Sequence, residues 1–363
     1  MIRLPSRAFL VAALALNLGL VACSSPEEQV AEYLDDAETR LADGDIDRAA
    51  INFRNALRIE PRNAEALFGM GRIHEAREDL PRAFAAYREA ANADPASIDA
   101  RNAYAVIALT QNRLDNVRQA AEEIREIDPE HPDGLALAAA LALRDERLDE
   151  AEKLATEALA QDPRHVNATS ALAGVHNARG QTRAAVDVLN ERFETHGVTV
   201  PLALLKTQLL GSIGDAEGVA TALEEAISAA PDDVGLRVAL ARFYDSQGEP
   251  ERAERVLRQA IERLEAPDAA MAALVRFVAA NRGVDAAITE IDELRTDRGD
   301  DDFTLAFLAA DLLAQAQRLD AAAARLQGVA DATEVDSADN LDARTGLATL
   351  AQIGRARVGK ECT

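Results

Sequence analysis

The sequence predicts an all-α protein built as a stack of antiparallel helix pairs. Three observations carry this. Alanine, leucine, arginine and glutamate dominate the 363 residues, while tryptophan is absent and aromatic residues make up 4%; these dominant side chains lose little freedom in a helix. Pro61, Pro95, Pro129 and Pro163 stand 34 residues apart, and Pro231 lies two periods further on, with Gly197 at the skipped point. Small residues lock to the same period, as expected where one supersecondary unit is repeated.

With position 1 set at Val30, nine contiguous 34-residue frames run to Val335 with no insertion or deletion, so residues 30–335 form the repeat region. Position 20 holds Ala49, Ala83, Ala151, Ala185, Ala253, Ala287 and Ala321. Position 8 is small at Ala37, Gly71, Ala105, Ala139, Ala173, Ala241 and Ala309. Small side chains at these two places let the helices of a hairpin approach closely, and a larger residue at position 24, such as Phe53, Tyr87 or Leu257, fills the space beside them. Gly44, Gly180, Gly214 and Gly248 share position 15, where a helix ending in a left-handed residue favours glycine. Pro81 and Pro250 fall at the start of a second helix, where a missing N–H costs nothing, and Pro132, Pro201 and Pro267 fall in turns between repeats. Residues 336–358 carry Leu347, Leu350, Ala351 and Gly354 at helical spacing and read as a terminal capping helix, with the first half of a tenth repeat as the alternative; residues 359–363 are a tail.

Upstream of the frames, Arg3 and Arg7 precede an uncharged run from Ala8 to Ala22, the order of a secretory leader over residues 1–22. A run of about fifteen residues is short for a membrane span. It ends in Leu20-Val21-Ala22-Cys23, which resembles the lipobox of bacterial lipoproteins. The resemblance implies cleavage before Cys23 and acylation of its thiol and new amino terminus, hence attachment to a lipid bilayer. Ser24, by the same resemblance, favours the periplasmic side of the outer membrane over the inner membrane. Residues 23–29 then form the lipidated cysteine and a short polar tether. Cys362 is left as an odd thiol.

The repeat lattice resembles the tetratricopeptide repeat family. The second frame carries it best, with Leu67, Gly71, His74, Ala83, Tyr87, Ala90 and Pro95 on signature positions. The resemblance implies a right-handed superhelical solenoid of helix pairs with a concave groove lined by positions 2, 5, 9 and 12. Here those positions include Phe68, Arg72, Asn102, Val106, Asn177, Gln208, Arg242, Arg276 and Phe303. The expected ligand is a protein or peptide partner with carboxylate character, met by three arginines. The lysine and asparagine clamp with which some of the family holds a terminal carboxylate is absent, since its places in the first three frames hold Leu34, Glu38, Gly69, Asp99 and Ala103.

Charge and motif content exclude other classes. The formal net charge is −24, lysine occurs only at Lys153, Lys206 and Lys360, and no basic run is present to neutralise phosphates, so nucleic acid is set aside. Direct polysaccharide binding is disfavoured because the predicted groove has few rings to stack on sugars. No HExxH, CxxC, GxSxG or phosphate-cradling glycine loop occurs, and Gly211-Ser212-Ile213-Gly214 is a helix end and turn. His74 and His176 sit at position 11, His131 and His165 at position 34, and His196 near a turn, all read as packing or surface residues. Asp300, Asp301 and Asp302 lack the alternation and turn glycine of a calcium loop. The expectation is therefore a scaffold with no catalytic residues, no metal and no cofactor.

The segment Gly44 to Ala90, with Asn55-Ala56-Leu57 closing one hairpin and Pro61-Arg62-Asn63-Ala64-Glu65-Ala66 opening the next, looks like the repeat lipoproteins of exosortase and exopolysaccharide-export systems. That resemblance implies an adaptor in envelope or export machinery. The alternative is a regulatory lipoprotein that activates a peptidoglycan-synthesis enzyme.

Overall fold

The computed structural model describes residues 25–264, 266–298 and 303–361. The leader, Cys23, the aspartates 300–302 and Cys362 lie outside these residues. Among the described residues there are helices and no strands. The chain divides into two compact units, Met1–Val188 and Leu189–Thr363.

The first unit contains α1 (Pro26–Ala42), α2 (Ile46–Ile59), α3 (Ala64–Ala76), α4 (Leu80–Ala93), α5 (Ile98–Thr110), α6 (Leu114–Ile127), α7 (Pro132–Arg144), α8 (Leu148–Gln161) and α9 (Val166–Ala178). Helix α10 (Thr182–His196) contributes residues to both units. The second contains α11 (Val200–Ser212), α12 (Ala216–Ala229), α13 (Val234–Ser246), α14 (Pro250–Arg263), α15 (Asp268–Arg282), α16 (Val284–Arg298), α17 (Thr304–Gln315), α18 (Leu319–Ala332) and α19 (Ala338–Glu361). From Ala64 to Asp268 each first helix begins at position 1, and from Ile46 to Val284 each second helix begins at position 17.

Local chemistry sets these limits. Asn63, Ser97 and Asp233, all at position 34, accept hydrogen bonds from the backbone N–H three residues on, at 2.9, 3.3 and 3.3 Å. Asp45, Asp79 and Asp215, all at position 16, cap second helices in the same way at 3.1, 3.2 and 2.9 Å. The second helices stop because the residue before each lattice proline is extended, as at Glu60 (φ −125°, ψ 86°) and Asp128 (φ −143°, ψ 103°). Position 15 is left-handed at Gly44, Gly180, Gly214 and Gly248, and equally at Glu78, Asn112 and Glu146, with φ of 59°, 57° and 59°. Pro132 and Pro201 are first-turn helical residues and not parts of the connecting turns.

Packing follows the same lattice. Ala37, Ala105, Ala139 and Ala173 at position 8 are buried, as are Ala49, Ala83, Ala151, Ala185, Ala253 and Ala287 at position 20. Phe53, Tyr87, Leu189, Leu223, Leu257 and Ile291 at position 24 are buried beside them. Each such leucine or aromatic side chain taken fully from water contributes roughly 1.5–3 kcal/mol, which no isolated hairpin could collect. Gly71 is required by this packing, because a β-carbon there would stand 2.4 Å from the Tyr87 ring.

Three boundaries differ from the sequence expectation. Residues 26–29 are the first turn of α1 and not a tether, because Ser25 and Glu28 form a reciprocal capping box and Pro26 occupies the first turn. The terminal helix runs from Ala338 to Glu361, beyond the 358 expected and into the predicted tail. Its Ala343, Leu347 and Leu350 cover the apolar side of the last hairpin, meeting Ala306, Val329, Leu313 and Leu326. The ninth frame is displaced by one residue. Ala322, Leu326 and Val329 take the buried places that positions 20, 24 and 27 hold elsewhere, and Ala321 is exposed. The buried set Leu305, Ala306, Ala309, Ala310, Leu312 and Leu313 repeats, one residue late, the set Ala100, Arg101, Tyr104, Ala105, Ile107 and Ala108 of the third frame. Ile291 still keeps the original phase, so the extra residue lies between Ile291 and Leu305.

Candidate partner-binding face

In the first unit most of the predicted groove residues are engaged with other side chains of the chain. Arg72 Nη1 donates to Glu38 Oε1 and Oε2 at 3.0 and 2.7 Å. Both residues occupy position 9, one period apart, so successive first helices bring their position-9 side chains together. Arg72 therefore meets a carboxylate of its own chain and is not an open cation. Phe68 is partly buried, its ring 5.1 Å from that of Tyr87 at 50°. Val106 is half-buried.

Asn102 Nδ2 donates to Asp133 Oδ1 at 2.8 Å, and Asn102 Oδ1 is buried without a hydrogen-bond partner. The same Asp133 oxygen lies 2.9 Å from His165 Nε2, whose side chain is 9% exposed. His165 Nδ1 accepts from the Ala168 N–H at 3.1 Å, and His131 Nδ1 accepts from the Asp133 N–H at 3.3 Å. The two position-34 histidines thus start α9 and α7 as caps, which assigns the His165 proton to Nε2, facing Asp133. Asn177 is exposed at the end of α9, where its Oδ1 accepts from Thr182 Oγ1 at 2.9 Å.

The second unit presents a different face. Gln208, Arg242 and Arg276, at position 9 of successive hairpins, are all exposed. Among the described residues neither Arg242 nor Arg276 has a hydrogen-bond or ion-pair partner. Beside Arg276 lies an open cavity of about 440 Å³ lined by Ala279, Ala280, Val284, Leu312, Gln315 and Ala316. Phe303 is not a groove residue. It starts α17 and packs with Ala306, Val329 and Ala343, because the one-residue displacement moves it out of position 2.

Lys206 carries no mark in the repeat period, and its role emerges only from the packing. Its ammonium donates to both oxygens of Glu225 at 2.9 Å and lies 5.3 Å from the Phe193 ring centre, with only 9% of the side chain exposed. Burial lowers the His74 pKa, against the attraction of Asp79. Burial, with the Glu123 carboxylate nearby, pushes the Tyr104 phenol up to about 12, and burial and the Glu75 hydrogen bond raise Tyr87. These are packing effects on inward-facing residues. Among the described residues no group of three or more His, Cys, Asp or Glu side chains is placed to hold a metal ion, and no helix is long and apolar enough to cross a membrane.

Stacked helical hairpins with capped, alanine-packed interiors and a chemically variable first-helix face define a helical-repeat interaction scaffold. Tetratricopeptide repeat profiles match residues 34–98, 142–209 and 214–276, together more than half of the sequence. The chain belongs to the tetratricopeptide repeat family, whose fold is generally a non-catalytic scaffold that binds protein partners.

Solved structures similar to it include a tetratricopeptide repeat protein from Parabacteroides merdae, at 18% identity and TM-score 0.46 over 69% of this chain and 99% of that one. PilF of Pseudomonas aeruginosa is similar at 17% identity and TM-score 0.43, over 60% of this chain and 100% of its own. The Cut9–Hcn1 hetero-tetramer of the APC/C is similar at 14% identity and TM-score 0.49, over 93% and 66%. No curated protein matches the sequence.

Proposed function

We propose that this protein is a lipid-anchored adaptor of the bacterial periplasm, held on the outer membrane through Cys23 and presenting its first-helix face to a protein partner in envelope or exopolysaccharide-export machinery. On this reading it is not an enzyme and uses no cofactor. The observation that carries the reading is the exposure of Gln208, Arg242 and Arg276 at one register of successive hairpins, where the fold asks nothing of them. The lipobox resemblance at Leu20 to Cys23 supports the anchor. Attachment then rests on acyl chains, at roughly 0.8 kcal/mol per buried methylene. It gains nothing from lipid charge, because α1 opens with Glu27, Glu28, Glu32, Asp35 and Asp36, which anionic headgroups repel.

A photo-crosslinking residue placed at Gln208 in cells, with the captured protein identified by mass spectrometry, tests the adaptor reading. Capture of a polysaccharide-export component is expected. Capture of a peptidoglycan-building enzyme instead would transfer the assignment to a regulatory lipoprotein. Cys23→Ser should release the protein from the membrane fraction, and retention at the unsubstituted level would refute the anchor.

A further inference from the structure

At several joints between hairpins the chain latches a carboxylate of one second helix with an arginine from the next hairpin. Asp47 on α2, at position 18, is gripped by Arg77, the residue just past the end of α3. Asp149 on α8, again at position 18, is gripped at 2.7 Å by Arg179, the residue just past α9, whose other Nη atom reaches Glu152 at 2.7 Å. In the second unit Arg282, which closes α15, reaches back to Glu254 on α14. The joint between α12 and α13 breaks this pattern. Glu217 on α12 stands at position 18, and the residue just past α13 is Gln247, an amide at the place of Arg77 and Arg179. Glu217 and Glu224 are exposed, and among the described residues neither forms an ion pair.

Where the latch is missing there is a cavity of about 570 Å³, bounded by α12, the end of α13 and α14. Glu217, Glu224 and Glu249 line it against a single cation, Arg252, so the walls carry a surplus of negative charge. Arg252 is already engaged. It lies 4.0 Å from the Tyr244 ring centre and donates to the Tyr244 hydroxyl and to Glu249 Oε2 at 2.8 Å each. That stack shows that these walls accept a guanidinium laid on a ring and tied to a carboxylate. The half-buried Phe243 ring, 6.0 Å from that of Tyr244, offers a second such surface. We propose that this cavity receives an arginine side chain from a basic segment of a partner protein, its guanidinium laid against Phe243 and countered by Glu217 and Glu224. The partner then completes from outside the latch that other joints complete from within. The site lies between second helices, away from the register of Gln208, Arg242 and Arg276, and so goes beyond the adaptor reading of that face.

The test uses the full chain and fluorescent peptides read by anisotropy. The probe alternates arginine and serine; a lysine–serine peptide keeps its charge, and a citrulline–serine peptide keeps the shape of arginine without the charge. The arginine peptide is expected to bind, the lysine peptide more weakly, and the citrulline peptide not at all. Gln247→Arg supplies from within the cation that Arg77 and Arg179 supply at their joints, and should weaken the arginine peptide about tenfold, the size of one charge-assisted hydrogen bond. Glu217→Gln combined with Glu224→Gln should weaken it at least as much. Glu65→Gln combined with Glu89→Gln removes the same charge from exposed sites of the first unit and should leave binding unchanged.

Binding of the citrulline or the lysine peptide as tightly as the arginine peptide overturns the proposal. So does a Gln247→Arg chain that keeps the parent circular dichroism and binds the arginine peptide as the parent does. An equal loss from the Glu65 and Glu89 substitutions and from the Glu217 and Glu224 substitutions marks diffuse attraction to an acidic chain and likewise overturns it. Crosslinking from Gln208 reports on the first-helix face, and none of these substitutions lies at its register. Either reading can therefore fail while the other stands.

Discussion

Replacing Gly71 with alanine sets two opposed effects against each other, and the structure decides which wins. Within a helix alanine is favoured over glycine by about 1 kcal/mol, and Gly71 lies inside α3. The new β-carbon would stand 2.4 Å from two carbons of the Tyr87 ring, against about 3.5–4.0 Å for ordinary contact. The ring has little room to yield. It is 2% exposed, Phe68 leans on it at 5.1 Å, and its hydroxyl donates to Glu75 Oε2 at 2.6 Å. Overpacking of this kind costs about 1–3 kcal/mol, and displacing the ring adds about 1 kcal/mol for the lost hydrogen bond. The net expectation is destabilisation of about 1–3 kcal/mol, measured as a lowered urea midpoint by far-ultraviolet circular dichroism. In a Tyr87→Ala background, where the ring is gone, the same substitution should stabilise by about 1 kcal/mol. A neutral or stabilising Gly71→Ala in the parent chain would refute the steric account.

Other consequences are equally measurable. Glu146 holds a left-handed backbone where Gly180 occupies the same position of the next frame, so Glu146→Gly should stabilise and Gly180→Ala destabilise, each by about 1 kcal/mol in urea melts. Removing Glu225 by substitution with glutamine should cost about 2 kcal/mol, since it strands the buried Lys206 ammonium, while Lys206→Met should cost less. Burial depresses the His74 pKa below its unfolded value of 6.5. Stability linked to this residue is therefore complete above that value and falls as pH drops through it, because the unfolded chain takes up the proton first. His74→Gln should flatten that slope in melts compared between neutral and mildly acidic pH.

The fold was legible because a repeat writes its packing requirements many times over. Through the eighth frame, small residues at positions 8 and 20, prolines after the second helices and glycines at position 15 fall where the structure uses them. The left-handed state at Glu78, Asn112 and Glu146 was not legible, since side-chain identity there gives no glycine signal. The displacement of the ninth hairpin is hidden in the sequence because both Ala321 and Ala322 are alanine, as are Ala309 and Ala310, so an alanine-rich period conceals a shift of one. On the face, the sequence placed Arg242 and Arg276 in the open but could not show that Arg72 is neutralised, because Glu38 lies a full period away. The scarcity of lysine also takes on a use. Arg325 grips both oxygens of Asp292 at 2.7 and 2.9 Å, and Arg318 grips Asp285 of the same preceding hairpin; the flat guanidinium fork suits this grip better than an ammonium.

The caps at position 34 have a consequence for how such a chain can change length. Ser97 and His131 each end one period and start the next helix with a side-chain acceptor. Excising residues 98–131 would place Ser97 directly before Pro132, leaving a competent start signal for α7 and the small residues of the flanking hairpins in phase. The array is therefore interchangeable at its joints, and whole periods can be lost or gained by the gene without any single junction having to be reinvented.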